Sequence, residues 1–140
     1  MTNKSFLEKK LDDLINLMMT DGVQPNDLAD NIFLEPYTQV SYKKVSGQVI
    51  GELHFEEEKN VITVLRYFYG NDKKVYRIEE QIQDSVKTLW DREFEEKQII
   101  NEVVKIMEEY YNSSQIEKFI STLPPSIRGH LNNKLKEHAS

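Results

Sequence analysis

Cysteine is missing from this chain altogether, which excludes a disulfide-stapled scaffold, a thiolate zinc site and a thiol nucleophile. Glycine is scarce and scattered, at Gly22, Gly47, Gly51, Gly70 and Gly129. No glycine-rich loop is therefore available to cradle a phosphate, and no Ser lies in a Gly-x-Ser-x-Gly elbow. Histidine is limited to His54, His130 and His138. The last two are separated by about 12 Å along a helix, too far to share one metal. His54 has no Asp or His at ligand spacing, so a solvated imidazole is the expectation for all three. No apolar run approaches the length of a membrane span, and the opening Met-Thr-Asn-Lys-Ser-Phe-Leu-Glu-Lys-Lys interrupts its apolar residues with charge at once. These absences point to a cytoplasmic, non-catalytic protein with no cofactor and no metal.

What remains is an ordinary globular composition. With 140 residues, 39% apolar and 30% charged, the chain is long enough to bury about two thirds of its unfolded surface as one domain spanning 1–140. A formal net charge of −6 works against a duplex DNA or acidic-membrane surface and suits a basic partner.

Ser5-Phe6-Leu7-Glu8 fits a capping box, so a helix is expected from Ser5. Leu7, Leu11, Leu14, Ile15 and Met18 form its apolar stripe, and Asp21-Gly22 ends it. Between Gln24 and Tyr37 two turns of helix, capped by Asn26 and stopped before Pro36, are expected. Leu28-Ala29-Asp30 also invites a helix-turn-helix reading of 24–44, with Tyr37 to Lys44 as recognition helix. Phe33 stands where that turn wants a Gly, Val40 is one place out of step, and cations are few. A capping helix followed by a first strand explains the same residues.

Apolar residues recur at every second position through most of Thr38–Trp90. Val40 and Tyr42 alternate into Ser46-Gly47, a hairpin turn, and Val49, Gly51, Leu53 and Phe55 alternate out of it. Val61 to Tyr69 is apolar on both faces, as a central covered strand would be. Gly70-Asn71-Asp72-Lys73 turns into Val75-Tyr76-Arg77-Ile78. Ile78, Ile82, Val86 and Leu89 or Trp90 fit a helix, yet Tyr76, Ile78, Ile82, Val86, Thr88 and Trp90 share one parity. The Gln83-Asp84-Ser85 cluster and the β-favouring Val86-Lys87-Thr88-Leu89-Trp90 favour strands, with Asp91 as N-cap for the next helix. Otherwise one long helix begins near Ile78.

Arg92 to Asn112 carries Phe94, Ile99, Ile100, Val103, Val104, Ile106, Met107, Tyr110 and Tyr111 at helical spacing. Its apolar arc is wider than packing on one surface requires, so the C-terminal helices or another molecule should cover its second side. Ser113-Ser114 caps a helix to Leu123, and a last helix from Pro125 or Ser126 presents Ile127, Leu131 and Leu135 as a narrow seam. The predicted fold is α+β: an N-terminal helix, a four- to five-stranded antiparallel meander, and two to three C-terminal helices packed over the sheet.

The acidic clusters Glu56-Glu57-Glu58 and Asp91, Glu93, Glu95, Glu96 read as a charged turn and a helix's first turn, or as carboxylates offered to a basic partner. Arg66-Tyr67-Phe68-Tyr69 shares only its composition with a base-stacking sheet, so nucleic acid is an improbable ligand. The C-terminal segment is mildly basic against an acidic middle, which would allow a two-fold or head-to-tail homodimer. By elimination the expected function is stoichiometric binding of another protein, as an immunity or antitoxin-like inhibitor, a bacterial, phage or mobile-element antagonist, or an assembly factor. The expected contact face is Phe94, Glu95, Glu96, Ile100, Val104 and Tyr111. The alternatives are a DNA-binding regulator using 24–44 and an enzyme site assembled around His54.

Overall fold

The computed structural model describes residues 3–139, and the side chains of 4–137. The elements are α1 (Asn3–Met19), α2 (Pro25–Ala29) with a 3-10 turn (Asp30–Phe33), β1 (Tyr37–Val45), β2 (Gln48–Glu58), β3 (Val61–Tyr69), β4 (Val75–Ile82), β5 (Ser85–Asp91), α3 (Arg92–Tyr110), α4 (Ser113–Ser121) and α5 (Pro125–Ala139). The chain is α+β, as its patterning predicts: one N-terminal helix, a five-stranded antiparallel meander of order β1-β2-β3-β4-β5, and three C-terminal helices. It forms two compact units, one of α1 with the chain from Phe94 onward, the other of Thr20–Glu93.

The helical unit has a core of Leu7, Leu11 and Leu14 from α1, Ile100, Val103, Val104, Ile106 and Met107 from α3, Ile120 from α4, and Ile127 and Leu131 from α5. The wide arc of α3 is thus covered within the chain. Leu14, Val103, Val104 and Leu131 are completely shielded from solvent. Proline defines the start of α5, where the missing N–H costs nothing. Two caps differ from the sequence reading. α1 begins at Asn3, so Ser5 lies inside the first turn. α4 is capped by Asn112 instead of Ser113: its Oδ1 accepts from Gln115 N–H at 2.9 Å, and Gln115 Oε1 accepts from Asn112 N–H at 2.9 Å.

In the sheet unit, period-two alternation assigns the faces. Val40, Leu53, Leu65 and Tyr67 share one face with Ile78 and Trp90, and Leu28 packs into the same cluster with Leu53, Tyr69 and Val75. Residues 78–91 are strands, the outcome that the turn cluster favoured. Ser46 and Gly47 adopt φ of 53° and 81°, the left-handed pair that lets a two-residue hairpin follow the strands' twist. Gln83 reaches φ 54° in the β4–β5 turn without being glycine. Gly51 is required for a different reason: a Cβ there would stand 3.0 Å from Leu28 Cδ1 and 3.2 Å from the Tyr42 ring, so α2 approaches β2 over a bare backbone.

Candidate protein-binding surface

The residues predicted as a contact face separate in the structure. Ile100 and Val104 are 6% and 0% exposed and belong to the helical core, so neither reaches a partner while that unit is folded. Their apolar surplus was a signal of intramolecular cover. Tyr111 is half-buried against the same core. Phe94 is 57% exposed, and Glu95 and Glu96 are half-buried on the first turns of α3.

The segment 24–44 is α2, a 3-10 turn and β1, so the recognition helix of a helix-turn-helix is a strand. The α2 cap is also earlier than predicted, at Gln24 with Pro25 in the first turn. This segment is held firmly. Gln24 N–H donates to Asp27 Oδ2 at 3.2 Å, and Gln24 Nε2 donates to the carbonyls of Gly22 at 3.1 Å and Lys73 at 3.2 Å. The Tyr69 hydroxyl donates to Val23 O at 2.7 Å, and the Tyr42 hydroxyl donates to the Pro25 carbonyl. Leu28, 1% exposed, anchors the turn from below.

The consequence is an apolar projection on a bonded backbone. Asn31 Nδ2 donates to Leu28 O at 3.1 Å, Leu34 N–H to Asn31 O at 2.9 Å and Tyr37 N–H to Leu34 O at 3.1 Å. With the backbone so occupied, Ile32, Phe33 and Leu34 point outward at 43%, 86% and 54% exposure. A single exposed apolar residue is ordinary, but three in succession on a bonded turn form a patch. Beside it, Glu56 N–H donates to Pro36 O at 2.9 Å, which brings the β2 end against the turn. Glu35, Glu56, Glu57 and Glu58 line one cleft there of about 550 Å³ with Pro36, Thr38 and Lys59. Patterning alone predicts a capping helix and a charged turn for these residues. The run Ile32-Phe33-Leu34 was the available signal.

The opposite face of the sheet carries a cluster of charged side chains among Ile50, Val64 and Phe68. Glu52 lies 3.1 Å from Lys43 Nζ, 3.5 Å from His54 Nε2 and 3.5 Å from Arg66 Nε. Burial acts to raise its pKa, but the hydrogen bond and charge of Lys43, with Arg66 and His54, outweigh it and hold the carboxyl below its usual value. A carboxylate kept ionised in this way is a poor proton donor. Arg77 donates from Nη2 to Thr88 Oγ1 at 3.1 Å, pairs with Glu79 at 2.7 Å, and stacks 5.9 Å from the Phe68 ring. Such a ladder stabilises strand pairing.

Arg92, which sequence reading placed only as a helix start, is 9% exposed. Its Nε donates to Val75 O at 2.8 Å and its Nη2 to Thr20 O at 2.8 Å, and the guanidinium lies 5.2 Å from the Trp90 ring centroid. Among the described residues, no group of three or more His, Asp or Glu is arranged to hold a metal ion. His130 is exposed on α5, and His138 lies outside the described side chains. Among those residues, too, no helix is long and apolar enough to cross a membrane.

Comparison with protein families, with curated proteins and with solved structures finds no match to this chain. Function rests on the surfaces themselves.

Proposed function

We propose that this protein acts in the cytoplasm by binding another protein stoichiometrically, as an inhibitor, antagonist or assembly factor, without catalysing a reaction. The observation that supports this reading best is the Ile32-Phe33-Leu34 projection, exposed on a turn whose backbone is already hydrogen-bonded. An aromatic side chain on a backbone already held in place has only two side-chain torsions to order on docking, which is how a few anchors come to dominate an interface. Glu35 and Glu56 to Glu58 at its side favour a partner whose apolar pocket is rimmed by Lys or Arg. Phe94, with Glu95 and Glu96 on α3, is the second candidate contact.

The test is a tagged pull-down from the source cell at moderate salt, with mass spectrometry and absorbance at 260 nm on the eluate. It compares the wild type with Phe33→Asp and Phe94→Asp. One protein retained in stoichiometric amount by the wild type and by Phe94→Asp, but weakened about 30-fold or more by Phe33→Asp, is expected. Loss with Phe94→Asp alone would move the contact to α3. Retention of nucleic acid in place of protein would refute the reading.

A further inference from the structure

The helical unit contains a groove that its core packing does not use. Its floor is Leu7 of α1 and Met107 of α3, 2% and 1% exposed, and its walls are the half-buried Tyr111, Ile116 and Phe119. The volume is about 310 Å³, at the lower end for small-ligand sites. We propose that this groove binds the chain of a straight-chain carboxylate, with the anionic head held between Lys4 and Lys118.

The lining decides the chain. Its uncharged polar groups are confined to the Tyr111 hydroxyl and the Gln115 amide, and the Gln115 side-chain oxygen is already engaged by Asn112 N–H. A peptide backbone entering the groove would leave most of its amides without partners, whereas methylene groups lose nothing there. At roughly 30 Å³ for each non-hydrogen group, the space admits about ten such groups. The rim decides the head. Lys4 and Lys118 line the groove, and among the described residues neither ammonium has an ion-pair partner. The protein as a whole repels anions at a net charge of −6, so an anion bound here is selected by these two cations locally. This inference is independent of the protein-binding reading and uses the other unit of the chain.

The experiment titrates the full-length protein with decanoate, decanol and decyltrimethylammonium, each below its micellar concentration, and follows the Met107 methyl resonance together with calorimetry. Saturable one-to-one binding of decanoate that shifts the Met107 methyl is expected, with decanol weaker and decyltrimethylammonium weakest. Lys4→Ala and Lys118→Ala should each weaken decanoate up to about fivefold and leave decanol unchanged. Ile116→Trp should abolish both by filling the groove. Equal affinity for the cationic and anionic chains, insensitivity to both lysine substitutions, or a Met107 methyl that does not move in the wild type would each overturn the proposal.

Discussion

Replacing Arg92 by Met keeps the length and apolar stem of the side chain but removes its guanidinium, and the structure sets what that should cost. Val75 is 2% exposed, so the carbonyl that accepts from Arg92 Nε at 2.8 Å cannot turn to water; its loss is worth roughly 1.5–3 kcal/mol, the range for a bond to a charged donor. Thr20 is exposed, so its carbonyl rehydrates and contributes less, about 0.5 kcal/mol. The guanidinium over Trp90 adds about 0.5–1 kcal/mol. A destabilisation of about 3 kcal/mol follows, a large fraction of the roughly 5–15 kcal/mol that holds a typical domain together. Arg92→Lys should recover about half, because an ammonium reaches one carbonyl and lacks the planar fork. Urea unfolding measures both variants, with emission from the single Trp, Trp90, reporting on the site itself. An Arg92→Met protein within about 0.5 kcal/mol of wild type, with unaltered Trp90 emission, would refute the assignment of Arg92 as the clasp of Thr20 and Val75.

Two further outcomes are expected. Glu52 ionises more readily in the folded protein than in the unfolded chain, so its stabilisation is complete above the unfolded pKa near 4.5 and is lost as the pH falls through the lower folded value. The difference in urea midpoint between wild type and Glu52→Gln should therefore be largest at pH 7 and close towards pH 3; a difference that stays constant across that range would contradict the ion-pair account. Gln83→Gly should stabilise the protein by about 0.5–1 kcal/mol in thermal or urea unfolding, since it relieves a left-handed non-glycine turn residue at φ 54°; no gain would mean that the Gln83 side chain compensates for its backbone.

The strands were legible because their signals are local. Parity, Ser46-Gly47, Gly70 to Lys73 and Gln83 to Ser85 are each read within a few residues, and together they resolved the ambiguous stretch 78–91 into a hairpin. Helical periodicity carries less information. It says that Ile100 and Val104 face something apolar without saying what, and their partners, Leu7 to Leu14 and Ile127 to Leu131, lie far away in the chain. Ile100 and Val104 were therefore expected at an interface and are found in a core. Phe33 was missed for the converse reason: an apolar run after a helix cap is ordinarily buried, and here it projects from a bonded turn. Arg92 had no local signal, since the carbonyls of Val75 and Thr20 that it reaches are distant in sequence.

The helical unit is interrupted in the chain by the sheet unit: α1 is made before the sheet, and α3 to α5, which complete its core, are made after it. At about 5–20 residues per second, Leu7, Leu11 and Leu14 leave the ribosome seconds before the residues that will cover them. The meander, whose strands pair only with their neighbours, meets the condition for closing during that interval. A nascent chain whose sheet closes in that interval would carry a finished sheet and an uncovered apolar helix at the same time. Polar substitutions among the exposed neighbours of Leu7, Leu11 and Leu14 would then be expected to change the yield of folded protein more than its equilibrium stability.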